Sequence, residues 1–102
     1  MQAILHIDKA FDAAQQRRAE CRERVSSLMA GAMAALQTTE PHMSESDRRK
    51  LAAQALRTAR DARLGAEVRR NKELGRLINT LVAAKQLGSE QVWLDGRDIE
   101  ML

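Results

Sequence analysis

The sequence is short of the residues that announce a function. Among 102 residues there is one cysteine, one proline and five glycines, and the aromatics are Phe11 and Trp93 with no tyrosine. A lone cysteine has no partner within the chain, which excludes a disulfide scaffold. Scarce glycine and proline, with 44% hydrophobic residues, argue against a disordered tail. No run approaches the ~20 apolar residues of a membrane-spanning helix. There is no glycine-rich phosphate loop and no serine in a nucleophile setting. His6 and His42 have no second histidine or cysteine at ligand spacing, so no metal is expected. With so few aromatics, base stacking on single strands has almost no platform. The expectation is a non-enzyme with no cofactor, no membrane partner and no small-molecule substrate.

What is present is charge, unevenly placed. The net charge is +3. Residues 1–47 carry −2 and residues 77–102 carry −2, whereas residues 48–76 hold ten cations against three carboxylates, a net +7. Arg48, Arg49, Arg57, Arg60, Arg63, Arg69, Arg70 and Arg76 dominate that block. Arginine suits two-pronged contacts to phosphate or carboxylate, so these eight are the candidate contacts to nucleic acid or an acidic partner. The start of the chain has no basic region ahead of an apolar run, and one unpaired cysteine suits a reducing compartment; cytoplasm is the expected location.

Helix formers are abundant. A first helix is expected over about residues 3–37. Ile4, Ile7, Phe11, Ala14, Arg18, Cys21, Val25, Leu28, Ala32 and Ala35 alternate steps of three and four, with Arg18 the one polar exception. That repeat is a coiled-coil seam, on a helix roughly 50 Å long at ~1.5 Å per residue. Pro41 marks a loop over 38–43. A second helix is expected over 44–87, capped by Ser44, with Gly88 as a left-handed C-terminal cap. Its early stripe (Leu51, Ala52, Ala55, Leu56, Ala59, Ala62, Ala66) is mostly alanine, and its later face (Leu74, Leu77, Ile78, Leu81, Val82, Ala84) is large. Gly65, Asn71 and Gly75 weaken helix, so the reading is one long helix, and residues 65–71 are where it would bend or break if it does.

In the segment 89–102, Asp95-Gly96 between two apolar runs reads as a hairpin turn; a short helix or irregular tail anchored by Trp93 is the alternative. A hairpin after two helices has the chain order of a winged helix, without any motif to support it. Cys21 lies on the seam and reads as a small hydrophobe, not a nucleophile. Glu20 and Arg24 have the i,i+4 spacing of a surface ion pair.

The expected architecture is all-α, a single domain over residues 1–102. A long antiparallel helical hairpin, coiled-coil-like, carries a short C-terminal hairpin or irregular segment packed on it. Ile4, Ile7, Phe11, Val25, Leu28, Leu74, Leu77, Ile78 and Leu81 form the expected association face. The expected function is a non-catalytic protein–protein interaction or assembly subunit that self-associates or docks on a protein partner. The alternative is a small basic nucleic-acid-binding protein or regulator using residues 48–76.

Overall fold

The structure is a computed structural model that describes residues 2–59 and 63–102. The expected site residue Arg60, with Ala62 of the alanine stripe, lies outside the described residues. The chain is mostly helical with a small sheet. Its order is β1 (Gln2–His6), α1 (Ile7–Thr39), α2 (Glu45–Thr58), α3 (Arg63–Gln86), β2 (Gln91–Asp95) and α4 (Gly96–Met101). Ser44 caps α2, its hydroxyl accepting from the Asp47 amide at 3.1 Å. Gly88 follows α3 with φ +87°, its amide donating to the Lys85 carbonyl at 3.0 Å. Both caps stand where the sequence placed them.

Three expectations are corrected. Residues 2–6 are a strand, not the start of the first helix. Ile4 fits the helical repeat, but the segment pairs with a strand far along the chain, and no local pattern reveals that. The Asp95-Gly96 hairpin is absent. Residues 91–95 pair with β1, and Asp95 caps α4 instead, accepting from the Asp98 amide at 2.9 Å. Aspartate serves as readily at a helix N-terminus as in a turn, because both uses satisfy a backbone amide two or three residues on. With no hairpin there, the winged-helix order also goes. Finally, residues 44–87 are not one helix. α2 ends at Thr58, ahead of the expected 65–71, with Ala59 extended at ψ 146°. Gly65, Asn71 and Gly75 lie inside α3.

The chain divides into two compact units, residues 1–20 with 70–102, and residues 21–69. In the first, β1 and β2 pair antiparallel in the register Gln2↔Asp95, Ala3↔Leu94, Ile4↔Trp93, Leu5↔Val92 and His6↔Gln91. The Ile7 amide extends the ladder to the Glu90 carbonyl at 2.9 Å. Strand alternation turns Ala3, Leu5, Val92 and Leu94 inward. They meet a core of Ile7, Ala10 and Ala14 from α1 and Leu74, Leu77, Ile78 and Leu81 from α3, all buried. Burying each large aliphatic side chain contributes roughly 1.5–3 kcal/mol. At the margin, Lys85 donates to Asp8 at 2.8 Å and Arg97 to Glu73 at 2.8 Å.

Arg18 explains two oddities of α3. Its Nε donates to the Asn71 side-chain oxygen at 3.2 Å. A Cβ on Gly75 would lie 3.3 Å from the Arg18 guanidinium. Glycine there leaves room for the one polar residue on the α1 seam to lie across α3.

The second unit has a thinner core. Cys21, Ala52 and Leu64 are buried, with Val25, Leu28, Ala32 and Leu56 half-buried around them. The alanine stripe allows close approach but buries little area per residue. The Arg24 guanidinium pairs with Glu67 at 2.8 Å and not with Glu20, which takes Arg17 at 2.9 Å. Glu67 is the more buried acid, so water screens that pair less.

Opposite stability changes are expected at two glycines. Gly88→Ala forces a side chain into left-handed backbone and should destabilise by about 1–2 kcal/mol. Gly31→Ala, within α1 and with nothing within 4 Å of the added Cβ, should stabilise by about 0.5–1 kcal/mol. Urea midpoints check both; a stabilised Gly88→Ala would contradict the cap.

Candidate functional site

The cationic block splits into used and unused charge. Arg48 is turned onto the backbone ahead of α2. Its Nη1 donates to the Met43 carbonyl at 2.6 Å and lies within 3.5 Å of the Glu40 and Pro41 carbonyls. This guanidinium satisfies carbonyls around the Pro41 loop and is not offered to a ligand. Arg49 makes an exposed i,i+4 pair with Glu45 at 3.5 Å, the kind worth a few tenths of a kcal/mol. Arg63 is exposed at the start of α3. Arg57, Arg69, Arg70 and Arg76 are exposed and have no carboxylate partner among the described residues. Lys50 and Lys72 are in the same state. Among the described residues, six of the block's ten cations thus have no carboxylate partner.

The expected association face is largely consumed by the chain itself. Ile7, Leu74, Leu77, Ile78 and Leu81 are 6% exposed or less. The leucine face of α3 was expected to stay uncovered on a two-helix hairpin, but the start of α1 and the two strands cover it. Val25 and Leu28 are half-buried in the second unit. Ile4 is 47% exposed, on the outer face of the sheet.

Two concave features lie in the first unit. One is an apolar groove of about 340 Å³, lined by Ile7, Phe11, Leu81 and Val82 and rimmed by Lys85 and Gln86. The other is a cleft of about 340 Å³ where α3, β2 and α4 meet, with Arg76, Thr80, Trp93 and Arg97 on its walls beside Glu73, Asp95 and Asp98. Trp93 is 68% exposed and stands opposite Ile4 across the ladder. It is not the buried anchor considered for an irregular tail. The period-two pattern Val92-Trp93-Leu94 carries the signal: two aliphatic neighbours facing in put the indole out.

Several of the described titratable groups are shifted by their surroundings. Cys21 is fully buried, 3.4 Å from the Arg24 guanidinium. Burial first, then the Glu67 carboxylate, push its thiol above the ordinary value, against the pull of Arg24. A raised thiol is the reverse of an activated nucleophile. Asp98 is also pushed up, by burial first and then by the neighbouring Asp95 charge. The Lys85 hydrogen bond holds Asp8 below the usual carboxylate range. Among the described residues, no three His, Cys, Asp or Glu side chains gather as a metal would require, and no helix is long and apolar enough to cross a membrane. No family model, curated protein or solved structure matches this chain.

These environments have measurable consequences. Cys21 should ignore a disulfide reagent at pH 8 in the folded chain and react fully once urea unfolds it; prompt reaction without denaturant would place the thiol at the surface. For Asp98 the folded pKa exceeds the unfolded one. Its contribution to stability is therefore present at acid pH and lost as pH rises through the folded value. Asp98→Asn should then raise the urea midpoint at pH 7 and leave it nearly unchanged at pH 3. Equal effects at both pH values would contradict the assigned environment.

Proposed function

We propose that the chain is a non-catalytic protein–protein interaction subunit that associates with a second copy through helix packing. The observation that supports this most is the apolar groove of Ile7, Phe11, Leu81 and Val82, which the described elements of the first unit leave open. Within the first unit, the Asp8–Lys85 and Arg18–Asn71 contacts run in opposite sequence directions, as antiparallel packing of α1 on α3 requires. Seams of this kind extend by adding further helices. An apolar side chain entering the groove would displace water from apolar walls, with Lys85 and Gln86 at its edge to set orientation. The groove is small beside the ~1,200–2,000 Å² that stable interfaces bury, so the association is weak, micromolar or above, unless neighbouring surface joins it.

A second reading is favoured by a separate observation, the cations Arg57, Arg69, Arg70 and Arg76 with no carboxylate partner among the described residues. Unpaired guanidinium groups on helices suit a phosphate backbone, and such binding weakens steeply with salt.

Light scattering across a dilution series tests the first reading. Mass above the monomer at high concentration is expected, with Val82→Lys shifting the chain to monomer while its helix content is retained. A monomer at every concentration would overturn self-association.

A further inference from the structure

We infer that the cleft around Trp93 binds single-stranded nucleic acid, with a base stacked on the indole and the adjoining phosphates on Arg76, Lys72 and Arg97. The inference rests on the nucleic-acid reading of the cationic block and gives it a particular site. Trp93 is mostly exposed, although a buried indole would add far more to a core this small. The sheet register holds it: Val92 and Leu94 face in on either side, and Ile4 supports it from the opposite strand. A fixed, solvent-facing aromatic beside cations is the arrangement used for sequence-tolerant binding of unpaired bases. Arg76 lines the same cleft, and Lys72 sits one helical turn away on the same face of α3. Neither has a carboxylate partner among the described residues.

The cleft also carries three acids, and two of them have contacts of their own. Glu73 accepts from Arg97 at 2.8 Å, in a pair exposed enough for a phosphate to exchange into. Asp95 Oδ1 accepts the Asp98 amide at the start of α4. Asp98 is half-buried and stands as the third acid on the cleft wall. A duplex would fit this chemistry poorly, because its bases are already stacked and cannot reach the indole.

Trp93 is the single tryptophan in the chain and there is no tyrosine, so intrinsic fluorescence reports on this cleft alone. The full chain is titrated with oligo(dT) of about 12 nucleotides, a length within the usual single-strand site size. Quenching is expected, with an affinity that falls with a log–log salt slope of about −2 for three phosphate contacts. By anisotropy of a labelled oligonucleotide, Trp93→Ala should weaken binding roughly 5- to 100-fold, and Trp93→Phe should retain most of it. Lys72→Glu with Arg76→Glu should abolish it; circular dichroism of each variant confirms that the fold persists. If oligo(dT) binds Trp93→Ala as tightly as the parent, without quenching in the parent, the cleft is overturned and the cationic-helix reading survives. If neither oligo(dT) nor duplex binds at low salt, both fall. If polyglutamate quenches Trp93 as strongly as oligo(dT), the cleft answers to charge alone, and an acidic protein partner replaces the single strand.

Discussion

The antiparallel pairing of β1 with β2 is the constraint on which the first unit depends. It ties the segment before α1 to the segment after α3. The chain must therefore bring the start of α1 onto the leucine face of α3, where Ile7, Ala10 and Ala14 bury Leu74, Leu77, Ile78 and Leu81. The same pairing sets which side chains face out. Shifting the register by one residue would turn Val92 and Leu94 to solvent and Trp93 into the core, so the hydrophobic pattern fixes it strongly. An isolated two-stranded ribbon is marginal in water; this one is held because its inner face rests on two helices and α4 follows it directly.

The charge in the middle of the chain has two roles that composition cannot separate. Arg48 is structural, occupied by the carbonyls of the Pro41 loop, and Arg49 is tied loosely to Glu45. Glu67 takes a cation from outside the block, Arg24 on α1. Arg57, Arg69, Arg70, Lys72 and Arg76 stay in water without a carboxylate partner among the described residues. Long cationic side chains keep their hydration on a helix surface at little cost, so nothing in folding requires them to be paired. Their charge is thus available to a ligand in a way that Arg48 is not.

Much of the helical architecture was legible in the sequence, and the reasons are local. Ser44 and Gly88 act through the backbone within a turn of themselves. Ile7, Ala14 and Cys21 recur on one face because three and four residues bring a helix round to the same side. What escaped was non-local or degenerate. Ile4 satisfied the helical repeat while belonging to a strand whose partner lies at the far end of the chain. The end of α2 at Thr58 carries no proline or glycine to mark it. Asn71 and Gly75 read as helix breakers until Arg18 is seen lying across them. Phe11 and Val82 were legible as apolar positions, but whether a groove stays open between them depends on what the strands cover. Trp93 was judged by its scarcity, whereas its neighbours decided its direction.

The two units also differ in how they lie along the chain. Residues 21–69 form a continuous stretch, whereas the other unit is assembled from residues 1–20 and 70–102. During synthesis the continuous unit is complete before any of residues 70–102 exists. The Ala3-Ile4-Leu5 strand leaves the ribosome well before its ladder partner, Val92-Trp93-Leu94. Closing so long a loop is an entropic cost met only when β2 arrives, and contacts of such separation form slowly. Until then the strand has both edges unpaired, which makes the interval between the two strands the time at which this chain is most open to pairing with the wrong partner.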